Sequence, residues 1–439
     1  MIVRHEKLSV IENLDMKKVD TDLPVLPKPQ LRTVVVINDN ANVTGGADKI
    51  ALTSVAELAK RGYRVFLLTA VGELPNEYAE IPNLTVISTE QYDLLGNPSR
   101  LRAAAQGLWN TKSAKVAAEL FNSLDKQTTV VHVHLWAKAL SSSVVQAAIA
   151  RNFQVVITIH DYLLACPTGT LFIHPQKTIC HIQPMSLKCI CTNCDSRTYT
   201  DKLWRVARQS VQENIGGMPG GVKHFIGISD LSLNVMRNNL PSGATLYRVA
   251  NFVDMPWRPP APVFENQNFV YTGRLVGEKG PALFARAAES MQVPTLFIGE
   301  GGSHEEVLAA NPHAEITGWL PYNEIQERLR SARAFVFPSL WYEVQPLVIL
   351  EAIANGVPCI VADTSAGREM IADGETGFWF KGGSVSDLAD KIRCLKDPAV
   401  AAQLGQTAHK RYWANPHTVD RHIQDLESVY RNMLRTMEP

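Results

Sequence analysis

Residues 33–68 read TVVVINDNANVTGGADKIALTSVAELAKRGYRVFLL and indicate the fold class of the chain. The first five residues, Thr33–Ile37, are all β-branched, which is typical of a parallel strand that is buried on both faces. A polar loop with two glycines follows, and apolar residues then recur at helical spacing over residues 48–61. Residues 64–68 form a second apolar strand. This β-loop-α-β unit predicts a doubly wound parallel sheet.

The alternation of strands and helices starts again after a proline-rich segment at residues 251–262. A chain of 439 residues is too long for one ordinary core. We therefore predict an α/β architecture of two Rossmann-like doubly wound domains that face each other across a cleft. The predicted divisions are an N-terminal arm (1–30), a first domain (31–253) with a Cys-rich insertion (166–194), a second domain (254–415) and a C-terminal helix that returns to the first domain (416–439).

The overall charge argues against a nucleic-acid partner. Lys plus Arg and Asp plus Glu both total 43, so the formal net charge is zero. No apolar run reaches the length of a membrane span. The first twenty residues alternate charged and apolar side chains and lack the apolar stretch of a secretory signal, which predicts a cytoplasmic protein.

Two carboxylates lie eight residues apart in the stretch WYEVQPLVILEA, residues 341–352, which follows a predicted strand. Glu343 falls in the loop before a predicted helix, and Glu351 about one turn into that helix. Backbone N–H groups at a helix start lack intrahelical acceptors and attract anions. A phosphate bound there would leave Glu343 near sugar hydroxyls and Glu351 near those of a ribose. The alternative is an ordinary loop carboxylate and a surface helical Glu.

A glycine loop with two cations lies in the stretch YTGRLVGEKG, residues 271–280, at the carboxyl end of another predicted strand. Doubly wound sheets bind ligands at this edge, and glycines let the backbone approach a ligand closely. Arg274 and Lys279 suit a departing diphosphate, because negative charge grows on it as a glycosidic bond breaks. The alternative is a solvated basic turn.

Two strand ends in the first domain supply the candidates for the other wall of the cleft. His160 ends the strand VVITI, where it can bond a sugar hydroxyl, although a lone His is more often structural. Gly45 and Gly46 lie between the first strand and its helix and form a weak motif by themselves. Asp48 can be a simple N-cap of that helix.

Together these stretches resemble the family 4 retaining glycosyltransferases, which have the GT-B fold, over about residues 34–380. The resemblance implies that Glu343 contacts the donor sugar and that Glu351 binds the ribose. It implies that Arg274 and Lys279 hold the diphosphate. It also places His160 near the donor sugar, and the loop with Gly45 and Gly46 near the phosphate and the reacting centre.

The chain departs from the commonest family pattern at two positions. Val344 stands where a Gly usually follows the first Glu, and Pro346 has no N–H to donate. We therefore expect phosphate contacts from the backbone amides of Gln345, Leu347 and Val348. The predicted catalytic residues are His160, Arg274, Lys279 and Glu343. The predicted donor-binding residues are Gly45, Gly46, Gly273, Arg274, Lys279, Gly299, Gly318, Glu343, Gln345, Leu347, Val348 and Glu351.

The predicted function is that of a retaining hexosyltransferase that needs no cofactor or active-site metal. It would move a sugar from a UDP- or GDP-sugar to a saccharide or a lipid-linked saccharide, in polysaccharide or glycoconjugate biosynthesis. One alternative is a nucleotide-sugar hydrolase or epimerase of the same fold. Another is a non-catalytic nucleotide-binding scaffold with a Cys-rich docking loop. A dehydrogenase is disfavoured, because no Gly-x-Gly-x-x-Gly follows the first strand.

Five of the seven cysteines fall in the insertion after His160, which the family pattern does not require. In a reducing compartment such a cluster points to metal sooner than to disulfides. Cys191 and Cys194 have the spacing of a zinc knuckle. The sequence predicts a structural zinc, without a catalytic role, among Cys166, Cys180, Cys189, Cys191 and Cys194. An iron–sulfur cluster, disulfides and buried free thiols are the alternatives.

The same region suggests a peripheral contact with the inner face of a membrane. The residues concerned are Arg197, Lys202, Arg205 and Arg208, with Leu203 and Trp204. A solvated helix face explains this cluster equally well.

Overall fold

The structure is a computed structural model that describes residues 30–436. Except for its last residue, the predicted arm at residues 1–30 lies outside the described residues. The strands are β1 (Thr33–Ile37), β2 (Arg64–Thr69), β3 (Leu84–Ser88), β4 (Thr129–Val133), β5 (Gln154–Ile159), β6 (Phe172–Ile173), β7 (Thr178–Ile179), β8 (His224–Gly227), β9 (Thr245–Arg248), β10 (Asn268–Thr272), β11 (Thr295–Ile298), β12 (Glu315–Ile316), β13 (Ala332–Phe337), β14 (Cys359–Ala362) and β15 (Gly377–Phe380).

The helices occupy the segments between these strands and after them. They are α1 (Gly46–Lys60), α2 (Asn76–Ala79), α3 (Arg100–Leu108), α4 (Thr111–Asn122), α5 (Ser143–Ile149), α6 (Leu187–Cys191), α7 (Tyr199–Asn214), α8 (Asp230–Met236), α9 (Pro281–Met291), α10 (His304–Ala310), α11 (Tyr322–Arg330), α12 (Leu347–Ala354), α13 (Val385–Leu395), α14 (Pro398–Ala414) and α15 (Val419–Arg435).

Two parallel sheets organise the molecule. The first has the order β3-β2-β1-β4-β5-β8-β9, and the second has the order β12-β11-β10-β13-β14-β15. In both sheets the strand order reverses beside the first strand, at β1/β4 and at β10/β13. Doubly wound sheets bind ligands outside the carboxyl ends of the strands at such a reversal. The predicted fold class, α/β with two Rossmann-like doubly wound domains, is confirmed.

The apolar pattern of β1 explains how the first sheet is covered. Val34 and Val36 pack into a cluster on one face, with α1 and α15. Val35 and Ile37 pack into a separate cluster on the other face. Because side chains alternate along a strand, an unbroken β-branched run supplies both faces at once. The second sheet has its own core.

The last helix joins the core of the first sheet. Ile423, Leu426 and Tyr430 of α15 are buried there, and the Tyr430 hydroxyl lies 2.6 Å from His132 Nδ1 on β4. The predicted boundaries near residues 253 and 415 fall in the connections between β9 and β10 and between α14 and α15. Over residues 30–436, none of the helices combines the length and the apolar character that a bilayer crossing requires.

Candidate functional site

Two loops of the second domain lie against each other at the carboxyl edge of its sheet. Gly280 has φ +70°, and a Cβ at this position would lie 2.1 Å from the Pro338 carbonyl oxygen. The backbone N–H of Leu340 donates to the Glu278 carbonyl at 2.8 Å. Only glycine allows this close approach of the loops after β10 and β13. The approach brings the side chains of Lys279 and Glu343 together.

Lys279 and Glu343 form an ion pair in which both side chains are largely buried. Trp341 Nε1 donates to the same carboxylate oxygen, Glu343 Oε2, at 2.8 Å. The Lys279 ammonium also lies 5.2 Å from the centre of the Trp341 ring, within cation–π range. Ser339 Oγ is 3.4 Å from Glu343 Oε2. The structure thus assembles one cation and one acid of the predicted site in direct contact.

Arg274 lies on the same loop but is exposed. Within residues 30–436 its guanidinium makes no ion pair. The Tyr271 hydroxyl donates to the Arg274 carbonyl at 2.8 Å and so holds the backbone of the loop. The Arg274 side chain therefore has no competing acidic partner in the described part of the chain.

The start of α12 faces the glycine loop of the first domain. A Cβ on Gly46 would lie 3.3 Å from Leu347 Cδ1. Leu347 and Val348 occupy the first turn of α12, where backbone N–H groups have no intrahelical acceptor. Gln345 is buried, and its side-chain Oε1 accepts from the backbone N–H of Asn251 at 2.8 Å. Its side chain therefore ties the loop to the segment that joins the two sheets.

Glu351 lies deeper, on the fifth residue of α12, and is 8% exposed. Gln326 Nε2 donates to Glu351 Oε2 at 3.0 Å. Burial raises the pKa of Glu351, whereas Lys49 and the hydrogen bonds from Gln326 and Tyr322 oppose that rise. Lys49 belongs to α1, and its ammonium lies 4.7 Å from the centre of the Tyr322 ring. The charge of Lys49, in the first domain, therefore acts on Glu351 in the second domain.

Asp48 holds the loop before α1 and is not an N-cap, which corrects that alternative. The N-cap is Gly45, and Asp48 is the third residue of the helix. Its carboxylate accepts from Asn38 Nδ2 at 3.0 Å, from the Thr44 backbone N–H at 3.1 Å and from Thr44 Oγ1 at 2.6 Å. A buried carboxylate with several donors rigidifies the loop. This network sets the path of Gly45 and Gly46.

His160 stands just beyond β5 and is half-buried. Its Nε2 lies 2.9 Å from Nδ1 of His134, which follows β4. Burial lowers the pKa of His160 to about 4, so the ring is neutral at pH 7. The neighbouring Asp161 shows the opposite response, because burial raises its pKa to about 6. The charge of Asp48 opposes this fall in the pKa of His160, while burial and then the charge of Glu343 raise the pKa of the nearby Tyr162.

The predicted donor-binding glycines after β10, β11 and β12 stack on one another. Gly299 has φ +141°, and a Cβ there would lie 2.1 Å from the Gly273 carbonyl oxygen. The Gly299 N–H donates to the Gly318 carbonyl at 2.9 Å. Glycine is required at Gly299 by this close approach of backbones, whatever ligand the loops bind.

The cysteine-rich insertion surrounds a buried lysine. Lys202 is 0% exposed, and its Nζ donates to Cys194 Sγ at 3.2 Å and to Cys189 Sγ at 3.6 Å. Cys166 is also buried, whereas Cys191 is exposed, and all are free thiols. Among residues 30–436 no three His, Cys, Asp or Glu side chains lie close enough together to hold a metal ion. The zinc site therefore stays a prediction.

The predicted membrane contact is wrong for two of the basic residues in the cluster. Lys202 points into the cysteine cluster, and Arg208 is 8% exposed and donates to the Pro167 carbonyl at 3.0 Å. Arg205 pairs with the buried Asp195 at 2.8 Å. Lys202 and Arg208 are therefore turned inward and cannot meet lipid headgroups. Leu203 remains exposed.

Several side chains of the cleft were not predicted from the sequence. They are Lys49, His134, Tyr162, Tyr322, Trp341 and Tyr342. The Tyr162 and Tyr342 rings meet edge to face with centroids 6.5 Å apart, across the two domains. A signal existed for His134, because His132 and His134 share one face of β4 by their spacing of two. No local sequence pattern indicated the contacts across the cleft.

Residues 257–411 match the family model described as glycosyl transferases group 1. The second domain, over these residues, belongs to that family. The group 1 domain thus contains β10–β15 together with the loops that carry Arg274, Lys279, Glu343 and Glu351.

Curated relatives match less than half of the chain. The chain is 25% identical over 186 residues to UDP-Gal:α-D-GlcNAc-diphosphoundecaprenol α-1,3-galactosyltransferase of Escherichia coli, which covers 39% of this chain and 47% of that protein. It is 30% identical over 186 residues to glycogen synthase of Mycobacterium tuberculosis, which covers 39% of this chain and 45% of that protein. The chain thus spans less than half the length of either relative.

Solved structures extend the similarity to both domains at the level of the fold. Sucrose-phosphate synthase from Thermosynechococcus elongatus superposes with a TM-score of 0.67 at 16% identity, over 92% of this chain and 100% of that chain. HepE of Anabaena, solved with UDP-glucose, superposes with a TM-score of 0.61 at 16% identity, over 91% of this chain and 99% of that chain. The group 1 domain therefore lies in a two-domain GT-B framework.

Proposed function

We propose that the protein is a retaining glycosyltransferase that moves a sugar from a nucleotide-diphosphate sugar to an acceptor hydroxyl. The observation that carries this proposal is the contact of Lys279 with Glu343, beside the free N–H groups of α12 and opposite Gly46. A cation, an acid and a helix start in one cleft suit a sugar diphosphate. No active-site metal or cofactor is part of the proposal.

The donor would exchange the internal ion pair for contacts of its own. Its diphosphate would replace Glu343 as the ion-pair partner of Lys279. It would also contact Arg274 and the backbone amides of Leu347 and Val348. Glu343 would then accept hydrogen bonds from sugar hydroxyls. Glu351, one turn deeper and already bonded to Gln326, would accept from the ribose.

Charge development supports the same assignment. As the bond between the anomeric carbon and the phosphate oxygen breaks, an electron pair moves onto the diphosphate, and fixed cations stabilise it. On a front-face route the acceptor oxygen bonds the same face of the sugar. Its proton passes to the departing phosphate oxygen, so no protein base is needed. Closure of the two domains would exclude water, which otherwise hydrolyses the donor.

The names of similar proteins suggest which substrates to test first. A solved neighbour was crystallised with UDP-glucose, and the relative from Escherichia coli uses UDP-galactose and a diphosphoundecaprenol-linked sugar. We therefore propose a UDP-hexose donor before a GDP-hexose. We propose a saccharide or lipid-linked saccharide acceptor in polysaccharide or glycoconjugate assembly.

Thermal unfolding with nucleotides tests the donor site directly. UDP or GDP at about one hundred times its Kd should stabilise the protein by about 3 kcal/mol, a shift of several degrees in Tm. Lys279→Met should abolish the shift, because the variant loses the cation proposed to meet the diphosphate. Arg393→Met is the matched control, since Arg393 forms an exposed ion pair with Asp390 elsewhere in the same domain. The proposal would be contradicted if the nucleotide raised the Tm of the wild-type protein, Lys279→Met and Arg393→Met by the same amount.

Product analysis separates the alternative functions. Transfer to a sugar acceptor without free hexose supports a transferase. Release of free sugar from the donor in the presence of acceptor would support the hydrolase. Full activity of a Glu343→Gln variant in cells would support the non-catalytic scaffold instead.

A further inference from the structure

A pair of histidines joins the ends of β4 and β5 in the first domain. His134 Nδ1 lies 2.9 Å from His160 Nε2, and the two rings are inclined by only 26°. His134 is 1% exposed, and its backbone N–H donates to the Ile37 carbonyl at 2.9 Å. The His134 backbone is therefore held by β1, and its ring is held by the contact with His160.

Both rings of the pair are neutral near pH 7. Burial lowers the pKa of His134 well below its ordinary value, and the neighbouring histidines His132, His160 and His422 lower it further. Burial likewise lowers the pKa of His160 to about 4. A neutral imidazole has one N–H and one bare nitrogen, so one ring donates to the other.

The remaining nitrogen of His134 decides the direction of that hydrogen bond. His134 Nε2 is buried and has no hydrogen-bond partner in the described part of the chain. A buried N–H without an acceptor is rarer in folded proteins than a buried acceptor without a donor. The proton of His134 therefore belongs on Nδ1, where it is donated to His160 Nε2. His160 must then carry its own proton on Nδ1.

We propose that His134 is a positioning residue that holds His160 as the Nδ1–H tautomer, so that His160 donates a hydrogen bond into the cleft. This inference rests on the proposed function only for the identity of the acceptor, which would be a hydroxyl oxygen of the donor sugar. His160 then acts as a neutral donor and not as a general base. The proton on His160 Nδ1 stays on His160 throughout the reaction.

Nitrogen NMR of protein labelled at histidine tests the tautomer without any activity measurement. The His160 signals are assigned by their loss in His160→Gln. We expect a protonated Nδ1 and a bare Nε2 on His160 in the wild-type protein at pH 7. His134→Leu should remove this restriction and shift the tautomer ratio of His160. A wild-type His160 that is protonated on Nε2 would overturn the proposal.

Kinetics with two substitutions at one position test the consequence for the reaction. Asn places an amide N–H close to where His134 Nδ1 lies, and Leu has no donor. His134→Leu should lower kcat about tenfold with little change in the acceptor KM, and His134→Asn should recover most of the loss. His313→Asn, at an exposed histidine of the second domain, is the control.

The NMR and kinetic experiments distinguish failure of the proposed function from failure of the positioning role. If the proposed function is wrong, the wild-type protein shows no transfer, but the NMR result still reports the tautomer. If equal losses occur in His134→Leu and His134→Asn while the wild-type tautomer is Nδ1–H, the residue is structural and the positioning role is overturned.

Discussion

At the scale of single residues, burial decides which charge each side chain of the cleft carries. Burial lowers the pKa of His160 and raises that of Glu351 and of Asp161, because a low-dielectric surrounding disfavours the charged form. Lys279 and Glu343 instead neutralise each other. The cleft therefore offers a neutral donor on one wall and an exchangeable ion pair on the other.

The lowered pKa of His160 makes a prediction about pH dependence. Because its folded-state pKa is about 4, the ring gains a proton only well below pH 5, and transfer should not depend on its ionisation between about pH 5.5 and 8. His160→Asn should lower kcat about tenfold while the pH–rate profile keeps its shape. An ionisation near pH 6 in both proteins would belong to Asp161. Loss of an ionisation step in the variant alone would contradict the assignment.

At the scale of elements, glycines in the loops set how closely strands and loops approach. Gly299→Ala should destabilise the protein by about 3 kcal/mol, because the new Cβ would meet the Gly273 carbonyl and the φ of +141° disfavours a side chain. Gly302→Ala, three residues later, has open space and is the control. Urea unfolding measures both. Equal midpoints for the two variants would show that the loop adapts at no cost.

The cysteine-rich insertion carries the zinc prediction. No three ligating side chains of residues 30–436 lie close enough to hold a metal ion, so zinc binding would require the thiols of Cys189 and Cys194, which now accept from the buried Lys202, to rearrange. We expect about one zinc per chain by elemental analysis, lost in Cys194→Ser and kept in Cys394→Ser, whose thiol is exposed. Absence of zinc from the purified native protein would contradict the prediction.

At the scale of the whole molecule, one ion pair and one histidine contact join the insertion to the second domain. Lys177 Nζ lies 2.6 Å from Glu306 Oε1, and His174 Nδ1 lies 3.7 Å from Glu278 Oε2. Glu278 is next to Lys279 in the proposed diphosphate loop. On the other side of the cleft, Glu369 accepts from the first two N–H groups of α8 at 2.9 and 2.7 Å. These contacts hold the two domains face to face.

Charge reversal tests whether the insertion contributes to this arrangement. Lys177→Glu or Glu306→Lys alone should raise the donor KM about threefold, because like charges would then meet at the domain interface. The double variant restores an opposite pair and should return the KM toward the wild-type value. Steady-state kinetics at low and high salt measure the effect. Independent, additive losses in the double variant would mean that the pair does not couple the domains.

The sequence by itself determined the two doubly wound sheets and the edge at which the functional loops lie. Strand and helix periods and glycine loops are local features, and parallel strands place all their carboxyl ends at one edge. For that reason Lys279 and Glu343 could be assigned to one edge of the second sheet, and Gly46 and His160 to one edge of the first. That the two edges share one cleft is what the family resemblance implies.

Only the tertiary structure decided the pairings within that cleft. The partners of Gln345, Lys202 and His134 lie on other elements or across the domain interface, and Lys279 meets Glu343 only because Gly280 lets two loops touch. Such contacts depend on how distant segments pack, and the local pattern of polar and apolar residues does not encode them. The inward turn of Lys202 and Arg208 has the same cause, since the cysteine loop and α7 bury these cations together.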